Sequence, residues 1–131
     1  MAERYEIVPG ESIGPFKLGM LREEIEALDS RPLAPHSGMP QPGVVVLYDD
    51  DDRCCKIVAI FAYDASPPIF ALFGQVVNGM TAGQFAALLR TSASDVKPFY
   101  AAVGSRSAGI HAAKWERTDD HIMSVTVVRR A

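Results

Sequence analysis

Three groups of residues in this sequence have side chains that could do chemistry: three histidines, two adjacent cysteines and four consecutive aspartates. His36, His111 and His121 are well separated, and none belongs to a metalloprotease, nucleophile-elbow, phosphate-loop or dinucleotide-binding motif. A nucleophile also needs a base within hydrogen-bond reach, and no spacing in the sequence indicates such a pair. We therefore expect no catalytic residue and predict that the protein is not an enzyme.

The adjacent cysteines, Cys54 and Cys55, place their side chains on opposite faces of a strand. Two thiolates supply too few ligands for a zinc site, and we expect both to be reduced thiols. The aspartates at positions 49–52 lack the alternating oxygens, glycine and distal glutamate of a calcium loop. Aspartate favours turns, so we expect a solvated hairpin tip and neither a metal site nor a cofactor.

Length and charge restrict the class of protein. A chain of 131 residues has the size of one domain, and we assign residues 1–131 to a single domain. A net charge of −3 argues against nucleic-acid binding, which normally needs a basic face. No apolar run approaches the ~18 residues that span a bilayer, and the charged first residues are unlike a signal peptide. We expect a cytoplasmic protein that does not bind membranes.

One pattern occurs twice, 60 residues apart, and organises the rest of the sequence. Residues 13–20 end in Gly19-Met20, residues 73–80 end in Gly79-Met80, and each segment leads into a short amphipathic helix. A β-hairpin follows each helix, the first around residues 49–52 and the second around residues 118–120. We predict two repeats, at about residues 12–63 and 73–130, and a proline-rich loop over residues 31–43.

These elements predict an α+β fold. Two pseudo-symmetric helix-plus-hairpin repeats would form one curved antiparallel sheet of four to six strands, with the two short helices on one face. If Tyr48 lies opposite Arg53, both faces of the first hairpin are largely apolar, yet two helices of this length cover only one face. We therefore predict that the face carrying Tyr48, Phe61 and Tyr63 is free to bind a partner.

Other residues are predicted to extend this binding face. Asp50 and Asp51 would give it an acidic rim, and acidic rims speed association with basic partners. In the second hairpin Trp115 and Arg117 share a face, and both residue types are enriched at binding hot spots. Trp115 has two interpretations at this point, as a core residue or as an interface residue.

The start of the first repeat is similar to a segment of small uncharacterised bacterial proteins. At residues 12–25 it reads Ser-Ile-Gly-Pro-Phe-Lys-Leu-Gly-Met-Leu-Arg-Glu-Glu-Ile. The Gly-Met turn, helix and hairpin also resemble the repeats of the beta-lactamase inhibitor protein family, and the single unit of outer-membrane assembly lipoproteins of the SmpA/OmlA type. The inhibitor resemblance implies a sheet whose concave face grips a protein. In contrast to both secreted families, we expect no export signal, lipobox cysteine or disulfide framework in this protein.

Three functional hypotheses remain open. The leading one is a non-enzymatic protein-binding module, and the resemblance implies a bacterial immunity or inhibitor protein that covers the site of a toxin or an enzyme. The alternative is a small-ligand-binding protein or enzyme with a pocket between the sheet and the 31–43 loop, where His36 or His111 would be a polar anchor. The third is a homodimer that buries the free hairpin face on itself.

Overall fold

Two short helices interrupt a series of strands in the computed structural model, which describes residues 4–28, 37–41, 44–60, 69–99, 102–114 and 122–130. The elements in chain order are β1 (Arg4–Val8), β2 (Ser12–Ile13), β3 (Phe16–Lys17), α1 (Arg22–Leu28), β4 (Ser37–Gln41), β5 (Val44–Tyr48), β6 (Cys54–Ile60), β7 (Ile69–Leu72), β8 (Gln75–Val76), α2 (Ala82–Leu89), β9 (Lys97–Phe99), β10 (Ala102–Ser105), β11 (Ile110–Lys114) and β12 (Ile122–Val128). This arrangement confirms the predicted α+β class. Within these segments no helix has the length and apolar character needed to cross a membrane.

The strands form two sheets rather than the single sheet that the sequence predicted. The larger sheet is antiparallel, with the order β4-β5-β6-β12-β11-β10-β9. The smaller sheet has the order β3-β2-β1-β7-β8, in which β1 and β7 are parallel. The prediction was wrong because the extended segments before the helices form two small hairpins, β2–β3 and β7–β8. Pairing of β1 with β2 and with β7 joins these hairpins into a second sheet. Three of their strands, β2, β3 and β8, have only two residues, which is too short to show alternation in the sequence.

The two Gly-Met turns have the same backbone geometry. Gly19 and Gly79 have φ values of +88° and +81°, a conformation that is costly for other residues. The Met20 carbonyl accepts a hydrogen bond from the first backbone N–H of β6 at 2.7 Å. The Met80 carbonyl accepts one from the first backbone N–H of β12 at 2.9 Å. Each turn therefore attaches the start of its helix to a strand near the centre of the larger sheet.

Each helix begins with a side chain that closes its first turn. In α2 the Thr81 hydroxyl accepts from the Gln84 N–H at 3.1 Å, and Gln84 Oε1 accepts from the Thr81 N–H at 2.9 Å. In α1 Glu24 Oε1 accepts from the Leu21 N–H at 2.9 Å. These bonds satisfy backbone donors that the start of a helix otherwise leaves unpaired.

The core lies between one face of the larger sheet and a layer made of the two helices and the smaller sheet. Val46, Ile57, Val127 and Ile110 are neighbours in register on that face, and all are buried. The same hydrophobic cluster includes Phe16 and Phe70 of the smaller sheet, Ile25 of α1 and Phe85 of α2. Removal of this apolar surface from water is the main driving force for the fold.

Candidate functional site

The hairpin β5–β6 carries Tyr48, one of the predicted binding residues, and its register differs from the predicted one. Tyr48 pairs with Cys54 rather than Arg53, because the register shifts at Tyr48 as it does at a β-bulge. After this shift the Cys54 side chain lies in the core, completely buried. Burial raises the pKa of the Cys54 thiol to about 12, so this cysteine is an unreactive core residue.

The face of this hairpin that the sequence predicted to be free is the core face of the larger sheet. Val44, Val46, Ile57 and Ala59 share that face, as predicted, and all four are completely buried. The expectation of a free face was wrong because the helices and the smaller sheet cover this side. The partly exposed face is the opposite one, which carries Val45, Leu47, Val58 and Ile60.

Four predicted binding residues cannot be placed on either face. Phe61 and Tyr63 lie outside the described residues, as do Trp115 and Arg117 of the second hairpin. His36, a polar anchor in the alternative hypothesis, also lies outside them. Their roles remain predictions. The described part of the predicted site is therefore Tyr48 with Asp50 and Asp51.

Tyr48 lies at the margin of the core, where its ring meets a cation. The Arg22 guanidinium carbon is 4.2 Å from the centroid of the Tyr48 ring, within the range of a cation–π contact. The Tyr48 hydroxyl oxygen is buried and has no hydrogen-bond partner among the described residues. Burial is the main cause that raises the pKa of the Tyr48 phenol, and the Arg22 charge partly offsets it. The phenol is therefore a protonated donor with an unused hydrogen-bonding capacity.

The loop between β5 and β6 is fixed against the start of α1. The Arg22 backbone N–H donates to the Asp52 carbonyl at 2.8 Å, and Arg53 Nη1 donates to the Gly19 carbonyl at 2.9 Å. Arg22 Nε also lies 3.4 Å from Asp52 Oδ1. Bonds from Asp52 and Arg53, at the end of the loop that leads into β6, thus hold this part of the loop beside the start of the helix.

The aspartates of this loop have different roles. The Asp49 carboxylate accepts from the backbone N–H of Arg53 at 3.0 Å and of Asp51 at 2.9 Å. The bond from Arg53 is the main cause that lowers the pKa of Asp49. Asp50, Asp51 and Asp52 are exposed. Asp49 therefore shapes the turn, whereas Asp50 and Asp51 present their carboxylates to solvent.

An acidic surface results at this end of the molecule, and we call it the acidic corner. It consists of Tyr48 and Arg22 with the exposed carboxylates of Glu23, Glu26, Asp50, Asp51 and Asp52. Glu26 and Asp52 both lie close enough to Tyr48 to act on its ionisation. Leu28, at the end of α1, is 45% exposed and adds an apolar side chain.

A second surface, at α2, was not predicted from the sequence. Phe73 and Val76 are 44% and 43% exposed, and Phe73 has a φ of +52°. An open groove of about 380 Å³ lies along α2 and is lined by Gln75, Met80, Gln84, Ala87, Leu88 and Thr91. We call it the α2 groove. The Phe73-Gly74 pair is the signal that could have predicted a tight turn here, because hairpin turns with two positive φ values favour glycine.

A polar cluster of Asp95, Ser105 and Ser107 connects the segment after α2 with β10. Asp95 Oδ1 accepts from the Ser105 hydroxyl at 2.5 Å and from the Ser107 hydroxyl at 2.6 Å, and Asp95 Oδ2 accepts from the Ser107 N–H at 2.9 Å. The Ser105 hydroxyl is the first cause that lowers the pKa of Asp95 well below its usual range. These bonds use the carboxylate to hold a turn, and no histidine of the described chain shares them.

The one histidine in the described residues lies on the outer face of the larger sheet. His111 pairs with Thr126 across β11 and β12, is half-buried, and has a pKa lowered mainly by burial and further by Lys56. In the described segments no three histidine, cysteine or carboxylate side chains are placed to hold a metal ion. His111 therefore has no described partner for acid–base or metal chemistry.

Comparisons with known proteins place the chain in no family. No protein-family model matches the sequence, and neither a curated protein nor a solved structure matches it.

Proposed function

We propose that the protein is a non-enzymatic protein-binding module of the cytoplasm, and that its acidic corner binds a basic protein partner. The observation that supports this function most is the concentration of exposed carboxylates around an Arg22–Tyr48 contact, on a loop whose backbone is fixed. The partner would be a toxin or an enzyme whose site the corner covers, as for an immunity or inhibitor protein.

The charges of the acidic corner suit a basic partner. Five exposed carboxylates lie there with Arg22 and Arg53, in a chain whose total net charge is only −3. Such a concentration produces a local negative potential that attracts a positive surface and raises the association rate. Charge alone gives little affinity in water, so the corner also needs side chains that bind at short range.

Tyr48 and Arg22 supply those side chains. Tyrosine and arginine are among the residue types that contribute most to binding at protein interfaces. The Arg22 guanidinium already lies 4.2 Å from the centroid of the Tyr48 ring, so this pair is held in place before a partner binds. Because hydrogen bonds already attach the loop to the start of α1, little backbone conformational entropy is lost on binding.

The acidic corner belongs to the first of two repeats in this proposal, at residues 12–63 and 73–130. The Met20 and Met80 carbonyls accept equivalent bonds, from the starts of β6 and β12. β6 and β12 themselves pair with each other in antiparallel orientation, which suits a pseudo-two-fold relation between the repeats.

Two charge-matched variants test the function. Asp50→Asn with Asp51→Asn removes two negative charges from the acidic corner, and Glu6→Gln with Glu11→Gln removes two from exposed positions near the smaller sheet. Each immobilised protein is used to capture partners from a lysate of the source organism. We expect a basic protein that binds the wild type and the Glu6/Glu11 variant but not the Asp50/Asp51 variant.

The captured protein is then purified to measure its association rate at several salt concentrations. The rate should fall as salt rises, and fall less in the Asp50/Asp51 variant. Both variants should unfold within about 0.5 kcal/mol of the wild type, because surface substitutions have small effects on stability. Equal capture by both variants, or a rate insensitive to salt, would contradict the proposal.

A further inference from the structure

We propose that Asn78 is a site of spontaneous covalent modification, at which the side-chain amide is lost as ammonia and a carboxylate takes its place. Asn78 is the only asparagine of the chain, and Gly79 follows it directly. Asparagine is one of the chemically labile residue types. Three features of the second Gly-Met turn support the proposal: the exposure of Gly79, the state of its backbone N–H and a hydrogen bond to the Asn78 side chain.

The reaction takes place between two neighbouring residues. A base in the solvent removes the proton of the Gly79 backbone nitrogen, which then attacks Cγ of Asn78. A bond forms between these two atoms, the bond from Cγ to the side-chain nitrogen breaks, and this nitrogen takes up a proton from water and leaves as ammonia. Water then opens the resulting cyclic imide at one of its two carbonyls. The product is aspartate or isoaspartate, in which the main chain is longer by one methylene.

The attacking nitrogen is accessible in this turn. Gly79 is exposed, and a Cβ atom placed on it would have no neighbour within 4 Å. Glycine also lacks the side chain that would hinder a close approach to its backbone. In the first Gly-Met turn the Gly19 N–H donates to the Cys54 carbonyl at 2.7 Å, whereas no backbone carbonyl of the described residues accepts from the Gly79 N–H. The nitrogen that must react is therefore hydrogen-bonded in the first turn but not in the second.

The carbon that is attacked lies beside a fixed hydrogen-bond donor. Asn78 Oδ1 accepts from the Phe70 N–H at 2.8 Å. A donor at this oxygen withdraws electrons from Cγ and stabilises the negative charge that the oxygen gains during attack. The Val77 N–H donates to the Phe70 carbonyl at 2.9 Å, which holds β7 next to the residue before Asn78. The fold therefore favours the attack as well as leaving the nitrogen accessible.

The isoaspartate product should weaken the attachment of α2 to the rest of the molecule. On one side of the reacting pair, the Asn78 side chain bonds to the start of β7. On the other side, the Met80 carbonyl accepts from the Ile122 N–H at 2.9 Å. An additional methylene between these two contacts changes the spacing that both require. We therefore expect the isoaspartate form to unfold at a lower temperature than the unmodified protein.

Mass spectrometry of peptides from protein kept in mildly alkaline buffer measures the modification. We expect Asn78 to react at least as fast in the folded protein as in the same chain unfolded in guanidinium chloride. Leu18→Asn provides a matched control, because it creates the same dipeptide in the first turn, where the Gly19 N–H is hydrogen-bonded. In this variant residue 18 should react at least about tenfold more slowly than residue 78 of the same molecule.

Circular dichroism and thermal unfolding establish that the Leu18→Asn protein is folded, and the comparison of folded with unfolded wild type does not depend on it. A folded wild type that keeps Asn78 intact while the unfolded chain loses its amide would overturn the proposal. Equal rates at residues 18 and 78 of the folded variant would also overturn it. Asn78 lies outside the acidic corner, so failure here leaves the test of partner binding intact.

Discussion

The turns into α1 and α2 are built alike but present different surfaces to solvent. Glu24 and Gln84 each accept a hydrogen bond from the backbone N–H three residues earlier, in both cases at 2.9 Å. Around this shared bond α1 carries three glutamates beside an aspartate loop, whereas α2 carries no charge. Both side chains supply the oxygen that accepts this bond, although one is charged and the other is neutral. The charge of the surface can therefore differ while the turn is kept.

The hairpins that precede the two helices differ in a similar way. Both have two-residue turns, Gly14-Pro15 in the first and Phe73-Gly74 in the second. Gly14 has a φ of +58°, and a Cβ atom there would lie only 2.8 Å from a ring carbon of Tyr5. Phe73 has nearly the same φ but is 44% exposed. Packing within the chain explains the glycine in the first turn, whereas the phenylalanine in the second turn is exposed to solvent.

The largest expected effects on the free energy of unfolding come from one substitution in each of these two turns. Gly14→Ala should lower the free energy of unfolding by about 1–3 kcal/mol, because it adds backbone strain and a contact with Tyr5. Phe73→Asn should raise it by about 0.5–1 kcal/mol, because asparagine before Gly74 suits a turn with two positive φ values. Urea unfolding of the monomeric proteins measures both. A Phe73→Asn variant as unstable as Gly14→Ala would show that the Phe73 ring is packed within the monomer.

A smaller effect, on the pH dependence of stability, should distinguish Asp95, whose carboxylate accepts hydrogen bonds within the fold, from an exposed aspartate. Hydrogen bonds to Asp95 lower its pKa in the folded state, so its contribution to stability is present above the pKa of about 3.9 in the unfolded chain. That contribution is lost as the pH falls below this value. Urea unfolding between about pH 5 and pH 2 should therefore show a weaker pH dependence for Asp95→Asn than for the wild type.

Asp50→Asn is the matched control for this pH experiment, since Asp50 is an exposed aspartate of the acidic corner. Its pH dependence should follow that of the wild type. A change in Asp50→Asn as large as the one in Asp95→Asn would remove the distinction between the two carboxylates.

Local signals in the sequence predicted several parts of this fold. The Gly-Met pairs predicted two turns that lead into helices, and the apolar spacing after them predicted two short helices, because both signals act within a few residues. Alternation grouped Val44 and Val46 correctly with Ile57 and Ala59. Alternation alone cannot show which of two apolar faces is covered, and the covered face was the one expected to be free.

Features that depend on distant contacts were missed. The register shift at Tyr48 lies beside bonds between the β5–β6 loop and the start of α1, and these contacts join residues that are far apart in the sequence. The same holds for the Asp95 cluster, whose serines are 10 and 12 residues away in sequence. Of the candidate site, the sequence predicted Tyr48, Asp50 and Asp51, but not the Arg22 contact that joins Tyr48 to α1.

Hydrogen–deuterium exchange of the protein, alone and in complex with the captured basic partner, tests the central claim most directly. The acidic corner should exchange more slowly in the complex, at α1 and at backbone amides 50–54, because bound surfaces open less often. Exchange along β8 and α2 should be the same in both samples. Slower exchange confined to α2, or to the outer face of the larger sheet, with no change at the acidic corner, would contradict the assignment of the partner site.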